Sequence, residues 1–462
     1  MKKIEPAPSL HALLERGDYS QSNSKDFELA KEFNREYYHW EQLKYKTDDE
    51  NTRRKIWMLM KMARGANAKP IKIGPIKGSY SLTSDLLEDL FALERSLSGY
   101  IEYHGKEVGD PRMRYYSVSS FVEEAISSSI LEGAAVTRTD AKRMIRKNKP
   151  PVSIDERMII NNLLAMENLK KIKDRKLTPE LIKDMHRIIV NRTLKSGMEW
   201  EGRFREDNET VVGDPFEEEK VYHVPPTYDK IPQMIEGLCN FANSTSTEFM
   251  HPIIKGIIIH YMIGFIHPFI DGNGRLARSL FYWYALKSGY WMMEYAAISK
   301  IIKTSRGKYG LAYQYAETDE NDLTYFIKFN MECIMRAVKD LEKHIEKKAK
   351  EQKEAKLFVE ENPELNLREA TILKDCMRDD APFSIVELQK RYRTAYQTVR
   401  LDVKHLEDLG LIRPVTKDRQ KVLYIVDRTK VNEAAEAKRN AEAALPKGGK
   451  SQQTLKWLEE NK

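Results

Sequence analysis

The sequence has little cysteine, and we expect neither a secretory signal nor a membrane span in it. Its three cysteines lie far apart and show no metal-ligand spacing, so a disulfide framework is excluded and a reducing compartment is expected. The N-terminal residues include two lysines but lack the apolar core of a secretory signal. The most apolar run, residues 253–270, contains Lys255 and two histidines, which predicts a buried helix rather than a membrane span. We therefore expect a cytoplasmic protein without a membrane part.

A strong charge excess is also missing. The formal net charge is +7, with 32% charged and 41% hydrophobic residues, which is sufficient for packed cores. This balance permits an anionic ligand without requiring a nucleic acid. A P-loop is excluded, because the pattern GxxxxGK followed by Ser or Thr does not occur.

Helical patterns of apolar residues run through most of the chain and predict a mainly all-α fold. The length of 462 residues indicates more than one domain. We predict a helical N-terminal extension at 1–110, a central domain at 111–340, a helical linker at 341–365, a winged helix-turn-helix at 366–430 and a mobile tail at 431–462. In the central domain, the stretch TVVGDPFEEEKVYHVPP has strand-like pieces around a turn, which predicts a β-hairpin.

The segment 366–430 has the order helix, helix, turn, helix and β-hairpin, which is typical of a winged helix-turn-helix. Six basic residues of its third helix, the preceding turn and the hairpin are candidates for DNA contact: Arg393, Arg400, Lys404, Lys417, Arg419 and Lys421. Three acidic residues dilute this charge: Asp402, Glu407 and Asp408. DNA and a protein therefore remain alternative partners of this unit.

The run HPFIDGNGRLAR concentrates the groups of a phosphate site. Gly272 and Gly274 flank Asn273 directly before a predicted helix, where main-chain N–H groups and the helix dipole attract an anion. Arg275 and Arg278 leave one face of that helix, and their guanidinium groups match phosphate oxygens.

Two further residues of the run suit transfer chemistry. Asp271 offers the single carboxylate that Mg²⁺ takes when phosphates supply its other ligands. His267 is the nearby side chain suited to proton transfer at neutral pH. The run therefore predicts a site for phosphoryl or nucleotidyl transfer. His186, in the helix that begins near Pro179, is expected to be a core histidine.

A dinucleotide-binding fingerprint is the main alternative, because Gly272 to Ala277 matches G-x-G-x-x-A and Glu294 lies where its acidic residue belongs. That fingerprint requires a preceding strand. The run before it is instead long enough for a helix and has Pro252 in the first helical position. Treating the arginines as surface charges leaves the coincidence of His, Asp, glycines and arginines unexplained.

The complete run resembles the signature of the Fic family, HPFx(D/E)GNGRxxR, without departure. The resemblance implies an all-helical enzyme that transfers AMP from ATP to a Ser, Thr or Tyr hydroxyl of a target protein. It further implies that His267 deprotonates this hydroxyl and that Asp271 holds Mg²⁺. Phe269 is expected to anchor the loop in the core.

The resemblance also assigns the phosphate contacts. Asn273 and the main chain of Gly272 and Gly274 are expected to bind the α- and β-phosphates. Arg275 and Arg278 are expected to take the outer phosphates.

Neighbouring segments extend the resemblance over roughly residues 117–335. Residues 202–226 resemble the hairpin flap that aligns the target peptide by strand addition. Tyr309 begins a segment that resembles the family's helix beside the nucleotide base, with core packing as the alternative role.

The stretch SSILEG resembles the family's inhibitory motif, (S/T)xxxE(G/N). The resemblance implies that Glu132, at the end of a helix at 117–133, pairs with Arg278 and keeps the γ-phosphate out. Ser128 lies one turn earlier and is expected to help hold the helix, which Gly133 ends.

Other functions stay open at this stage. The same site is compatible with transfer of UMP, phosphate or phosphocholine, or with removal of AMP by a water that Glu132 positions. A second class is a DNA-binding regulator in which nucleotide binding is a signal. A homodimer is compatible with the sequence, which does not fix the oligomeric state.

Overall fold

The structure is a computed structural model that describes residues 4–16, 22–97, 111–213, 221–244, 248–361, 364–379, 382–418, 421–427 and 429–431. The chain divides into two compact units, Met1–Leu341 and Glu342–Lys462. This division falls beside the predicted start of the linker. The predicted tail lies outside the described residues, except for its first residue.

The first unit is built mainly from helices. Their bounds are α1 Leu10–Glu15, α2 Ser24–Glu36, α3 Trp40–Leu43, α4 Glu50–Asn67, α5 Ser84–Leu97, α6 Pro111–Leu131, α7 Arg138–Arg146, α8 Ile154–Ile172, α9 Pro179–Val190, α10 Ile231–Asn243, α11 Pro252–Ile266, α12 Asn273–Lys287, α13 Ile298–Thr304, α14 Arg306–Thr318 and α15 Thr324–Glu361, which continues into the second unit. Two antiparallel hairpins accompany them: β1 Ala68–Ile73 with β2 Ile76–Ser81, and β3 Val212–Gly213 with β4 Val221–His223. The predicted mainly all-α fold is confirmed.

The N-terminal extension is not entirely helical, contrary to the prediction, because it contains the β1–β2 hairpin. Alternation of Ile71 and Ile73 with lysines, followed by a Gly–Pro turn, is the signal that identifies such a hairpin. The hairpin is tied to the start of α15, since Ser81 N–H donates to Thr324 Oγ1 at 2.9 Å. The extension and the predicted central domain therefore form one compact unit.

Two packed helices carry the candidate site. Residues 253–263 of α11 are all buried, so the apolar run is the buried helix that the sequence predicts. Helix α12 packs along it, and both contact neighbouring helices of the core. None of the helices in the described part of the chain is long and apolar enough to cross a membrane.

The second unit has the element order predicted from its sequence. After α15 come α16 Leu367–Asp379, α17 Ile385–Tyr392, α18 Tyr396–Asp408, β5 Ile412–Asp418 and β6 Lys421–Val426. The two strands pair as an antiparallel hairpin, and Phe383 adds a bridge to Tyr424. These helices and the hairpin share one apolar core of their own.

Candidate active site

The loop between α11 and α12 has a tightly constrained backbone. His267 ends α11 in the left-handed conformation, with a φ of 48°, and its carbonyl accepts a hydrogen bond of 2.9 Å from Arg205 Nε. Gly272 has a φ of 85° directly before α12, and a Cβ there would lie 2.6 Å from Val190 Cγ1. Only glycine meets both conditions at this position.

Asn273 closes this loop through its side chain. Its Oδ1 accepts from Phe269 N–H at 3.0 Å, and its Nδ2 donates to the Phe269 carbonyl at 2.7 Å. The ring of Phe269 is fully buried, which confirms its expected role as a core anchor. Both polar atoms of the Asn273 amide therefore hold the loop closed, and the main-chain N–H of this residue lies at the start of α12.

His186 supports the same loop and is more than a core histidine. Its ring stacks on Phe269 with a centroid distance of 3.7 Å. Gly202 N–H donates to Nδ1 at 3.0 Å, so Nε2 carries the proton and donates to the Asp271 carbonyl at 2.8 Å. Burial lowers the pKa of His186 to about 4, which preserves the neutral tautomer that these two contacts require.

His267 presents a neutral imidazole at the end of α11. Its Nδ1 lies 3.3 Å from the Gly264 carbonyl, so a proton on Nδ1 leaves the Nε2 lone pair as the basic site. Burial lowers the pKa of His267 to about 4. The side chain is therefore in its base form at neutral pH.

Arg275 and Arg278 supply buried donors. Arg275 is 0% exposed. It donates from Nη1 to the Ile189 carbonyl at 3.1 Å, and burial lowers its pKa. Within the described part of the chain, Arg275 Nε and Nη2 and Arg278 Nη1 have no hydrogen-bond partner. Buried cationic donors of this kind fit an anionic ligand.

Asp271 is the exposed acid of the site. Its side chain is 56% exposed, and one oxygen lies 3.8 Å from Arg275 Nη2. Among the described residues there is no group of three side chains that could hold a metal ion. A metal at Asp271 therefore has to take its remaining ligands from a bound phosphate and water, as Mg²⁺ does at nucleotide sites.

Helix α6 directs two side chains at Arg278. Ser128 Oγ accepts from Arg278 Nε at 2.9 Å, and Glu132 Oε1 accepts from Nη2 at 2.9 Å. A Cβ on Gly274 would collide with the Glu132 carboxylate, so this carboxylate lies against the N-terminus of α12. It occupies the position that favours an anion.

The C-terminal part of α6 is fixed at both ends. Gly133 ends the helix with a φ of 99°, as helix-terminating glycines do. Two turns before Glu132, the buried Glu124 accepts hydrogen bonds from Tyr282 Oη at 2.9 Å and from Ser299 N–H at 2.8 Å. These contacts hold α6 against α12 and α13 in the described conformation.

The predicted flap begins at a buried arginine. Arg205 is 2% exposed and donates to main-chain carbonyls of His267, Asp207 and Pro226. The predicted hairpin is present as β3 and β4, with Val212 opposite His223. Residues 214–220, its turn, lie outside the described residues.

Tyr309 lies in an aromatic cluster beside the site. Its hydroxyl is 2.9 Å from His260 Nε2, and its ring contacts Tyr313 and Phe326. The ring is half-buried. Both a packing role and contact with a nucleotide base are compatible with this position, and the second stays a prediction.

Comparison with known proteins shows which family the region of this site is similar to. A family model described as the Fic/DOC family matches residues 176–285. The chain is 25% identical over 259 residues to the protein adenylyltransferase Fic of Drosophila melanogaster, which covers 55% of this chain and 47% of the relative. It is 26% identical over 227 residues to the protein of the same name from Drosophila virilis, covering 48% and 42%. The chain thus spans about half the length of the curated relatives it matches.

A solved structure shows a similar fold. Fic-1 from C. elegans superimposes with a TM-score of 0.51 at 15% sequence identity, covering 74% of this chain and 90% of that chain. The chain therefore contains a Fic domain that is homologous to the Fic domain of protein adenylyltransferases.

Proposed function

We propose that this protein is an autoinhibited protein adenylyltransferase, which transfers AMP from ATP to a Ser, Thr or Tyr hydroxyl of a target protein and of itself. One observation carries the proposal. The N-terminus of α12 is surrounded by a neutral His267, an exposed Asp271 and buried arginine donors that have no hydrogen-bond partner in the described residues. Such a site combines a base with donors for a polyphosphate.

The proposed reaction uses His267 as the general base. Its Nε2 accepts the proton of the target hydroxyl while the hydroxyl oxygen attacks the α-phosphorus of ATP. The bond from the α-phosphorus to the oxygen shared with the β-phosphate breaks, and pyrophosphate leaves. The first N–H groups of α12 and the free donors of Arg275 bind the phosphates.

Asp271 is the residue that would hold Mg²⁺. The ion supplies neutralisation of phosphate charge when it is bound. The exposed carboxylate fits a metal whose other ligands come from the nucleotide, and the hydrogen bond from His186 to the Asp271 carbonyl keeps this residue in place.

Autoinhibition follows from the contact of Glu132 with Arg278. The carboxylate takes the donor that the γ-phosphate needs and lies at the helix N-terminus. In this proposal ATP has to displace Glu132 before it binds productively. In this proposal a target peptide docks on the nearby β3–β4 hairpin by strand addition.

Intact-mass spectrometry after incubation with ATP and Mg²⁺ tests the proposal. We expect a mass increase of one AMP on the Glu132→Gly protein, at least about tenfold above the parent, since a charged hydrogen bond of about 1.5–3 kcal/mol is lost. The double variant Glu132→Gly, His267→Ala should show no addition. Glu167→Gln, an exposed glutamate of α8, is the matched control and should behave as the parent.

The same measurement separates the rival chemistries. An added phosphate indicates phosphotransfer, and UTP or CDP-choline in place of ATP tests the transfer of UMP or phosphocholine. Loss of AMP from a pre-modified protein by the parent, but not by Glu132→Gly, indicates AMP removal. If no variant is modified and His267→Ala leaves ATP-dependent regulation intact, the nucleotide-sensor interpretation replaces the proposal.

We propose DNA binding by the second unit as a second function, because the structure removes an objection raised by the sequence. Asp402 is 3% exposed and forms a two-point ion pair with Arg368, so it does not oppose a cation on the surface of α18. Arg400 and Lys404 are exposed on this helix. In helix-turn-helix proteins the corresponding N-terminal residues face the major groove.

The turn before α18 and the first turn of this helix add polar and basic side chains to the same surface. Arg393 and Gln397 are exposed, and Glu407 and Asp408 lie only in the last turn of α18. The side chains of Lys417, Arg419 and Lys421 lie outside the described residues. The exposed side chains of Arg393, Arg400 and Lys404 therefore carry the proposal by themselves.

A mobility shift of the full chain with duplex DNA at two salt concentrations tests this function. We expect binding that weakens with salt and that falls in the double variant Arg400→Ala, Lys404→Ala, since each lost phosphate contact lowers the salt slope by about one. Lys149→Ala, an exposed lysine of the first unit, is the control. Salt-insensitive binding, or no binding, favours a protein partner instead.

A further inference from the structure

His223 connects the second strand of the flap to the body of the first unit. His223 in β4 places Nδ1 2.9 Å from both carboxylate oxygens of Glu317 in α14. Its Nε2 lies 2.8 Å from the main-chain carbonyl of Phe265 near the end of α11. The side chain of His223 is 11% exposed and that of Glu317 is 30% exposed.

The two contacts of His223 determine its protonation. A carbonyl oxygen only accepts hydrogen bonds, and so does an ionised carboxylate, which partial exposure of Glu317 to solvent favours. Each ring nitrogen of His223 must therefore donate. A histidine donates from both nitrogens only as the imidazolium cation. In a neutral ring, one nitrogen would instead place its lone pair against a lone pair of the partner oxygen.

His223 is close to the proposed base. Phe265 precedes His267 by two residues, so the carbonyl that His223 holds belongs to the last turn of the helix that presents the base. The groups that act on the charge of His267 are His223 from β4, Arg205 from the start of the flap and Glu132 from α6. Glu317 is the acidic partner of His223 from α14.

We propose that His223 is a positioning residue for group transfer: as an imidazolium shared between Glu317 and the Phe265 carbonyl, it fixes the distance between the peptide-docking strand and His267. This inference rests on the proposed adenylyl transfer. The contacts of His223 hold strand β4 of the flap. These contacts therefore set where a docked target hydroxyl lies relative to the base. In the proposed function ATP binds at the start of α12, so its affinity is not expected to depend on this contact.

The protonation of His223 is tested without any activity measurement. The chain has 10 histidines, and ¹⁵N spectra of the histidine-labelled full chain report the state of each ring. The signal that disappears in His223→Gln identifies residue 223. We expect both of its ring nitrogens to be protonated at pH 7.5 in the parent, and Glu317→Gln to shift the ring toward the neutral form. A neutral ring in the parent at this pH overturns the proposal, whether or not the protein transfers AMP.

The effect on transfer is measured in the Glu132→Gly background. We expect His223→Gln to lower self-modification by about 10- to 100-fold, as a displacement of about 1 Å does, with the affinity for ATP unchanged. Loss of the neighbouring cation raises the pKa of His267, so the acid limb of the rate should move to higher pH. A packing role alone does not move this limb, and an unchanged pH profile contradicts the proposal.

His251→Gln is the matched control. His251 is also a half-buried histidine that contacts a glutamate, Glu94, at 2.9 Å, but it lies at the opposite end of α11 from His267. Equal loss of transfer in both variants assigns the effect to general destabilisation and contradicts a specific role for His223.

Discussion

The carboxylate of Glu132 and the guanidinium of Arg278 are joined at 2.9 Å across 146 residues of chain. Arg278 is 3% exposed, whereas the side chain of Glu132 is 28% exposed, so the guanidinium is the shielded member of this pair beside the first turns of α12. Removing the carboxylate without a replacement leaves the buried charge of Arg278 uncompensated. Only a ligand that brings its own anion, such as a phosphate, replaces Glu132 without that cost.

Ser128 shares Arg278 with Glu132 and should tune the inhibition. Its Oγ accepts from Arg278 Nε at 2.9 Å. We expect Ser128→Ala to raise self-modification by about three- to tenfold, because a hydrogen bond of about 0.5–1.5 kcal/mol no longer favours the inhibited arrangement. Initial rates with labelled ATP measure this. Ser127→Ala, the adjacent buried serine, is the control, and an unchanged rate in Ser128→Ala would show that the serine holds Arg278 equally in both states.

The pH dependence should reflect the depressed pKa of His267. Because burial lowers it to about 4, the base form is present throughout the neutral range, and protonation removes it only as the pH falls through that value. We expect the rate of the Glu132→Gly protein to be nearly constant from about pH 6 to 8 and to fall toward about pH 4. A half-maximal rate near the ordinary histidine pKa contradicts this assignment.

Stability should fall in the same acid range for a separate reason. The buried His186 also has a pKa lowered to about 4, so the unfolded chain binds its proton more readily than the folded chain. Its contribution to the free energy of unfolding is fully present above the unfolded pKa of about 6.5 and is lost as the pH falls toward 4. Urea titrations at pH 7, 6 and 5 measure this loss together with that of His267, whose pKa is lowered in the same way, and circular dichroism at each pH separates unfolding from the kinetic effect.

Removal of the metal should abolish transfer without affecting the fold. Asp271 is 56% exposed and has no metal-ligating partners among the described residues. We expect EDTA, or Asp271→Asn, to reduce transfer to background, while the melting temperature without ATP shifts little, as for other exposed substitutions within about 0.5 kcal/mol. Asp184→Asn, with an aspartate 54% exposed on α9, is the control. Full activity in EDTA contradicts the assignment of Asp271.

Arg205 should matter for both stability and transfer. Its guanidinium bridges three main-chain carbonyls, including that of His267, which the single ammonium of lysine cannot reproduce. We expect Arg205→Lys to lower the free energy of unfolding by about 1–3 kcal/mol and to reduce transfer at temperatures where the variant is folded. Arg203→Lys, whose side chain is 51% exposed and pairs with Glu206, is the control and should keep both properties.

Local sequence patterns predicted the structure of some parts of the chain and failed to predict that of others. The sequence predicted a helix from Gly274 to Lys287, and α12 begins one residue earlier, at Asn273. It did not predict that the side chain of Asn273 is occupied by Phe269, because the assignment to phosphate came from resemblance and not from geometry. The β1–β2 hairpin was missed because the helical pattern of its neighbours dominated the interpretation of the extension.

The supporting residues were not predicted because their partners are distant in the chain. His186 meets Asp271 across 85 residues, and Arg205 meets His267 across 62. Nothing in the local sequence around a histidine or an arginine reports such a contact. In the same way, the sequence indicated that the negative charge of Asp402 opposes DNA binding, whereas in the structure this residue is buried in an ion pair with Arg368.

By itself, the sequence determined the chemistry that is available: an imidazole, a carboxylate, a glycine-flanked helix start and two arginines within twelve consecutive residues, with amphipathic helices to bury around them. These properties depend on residue type and near spacing, which the order of amino acids contains directly. Only the tertiary structure decided which of these groups are free. It neutralised His267 by burial, engaged Asn273 in the loop, left donors of Arg275 without a hydrogen-bond partner in the described residues and brought Glu132 onto Arg278. Burial and long-range contact set these states, and both arise only when distant segments pack together.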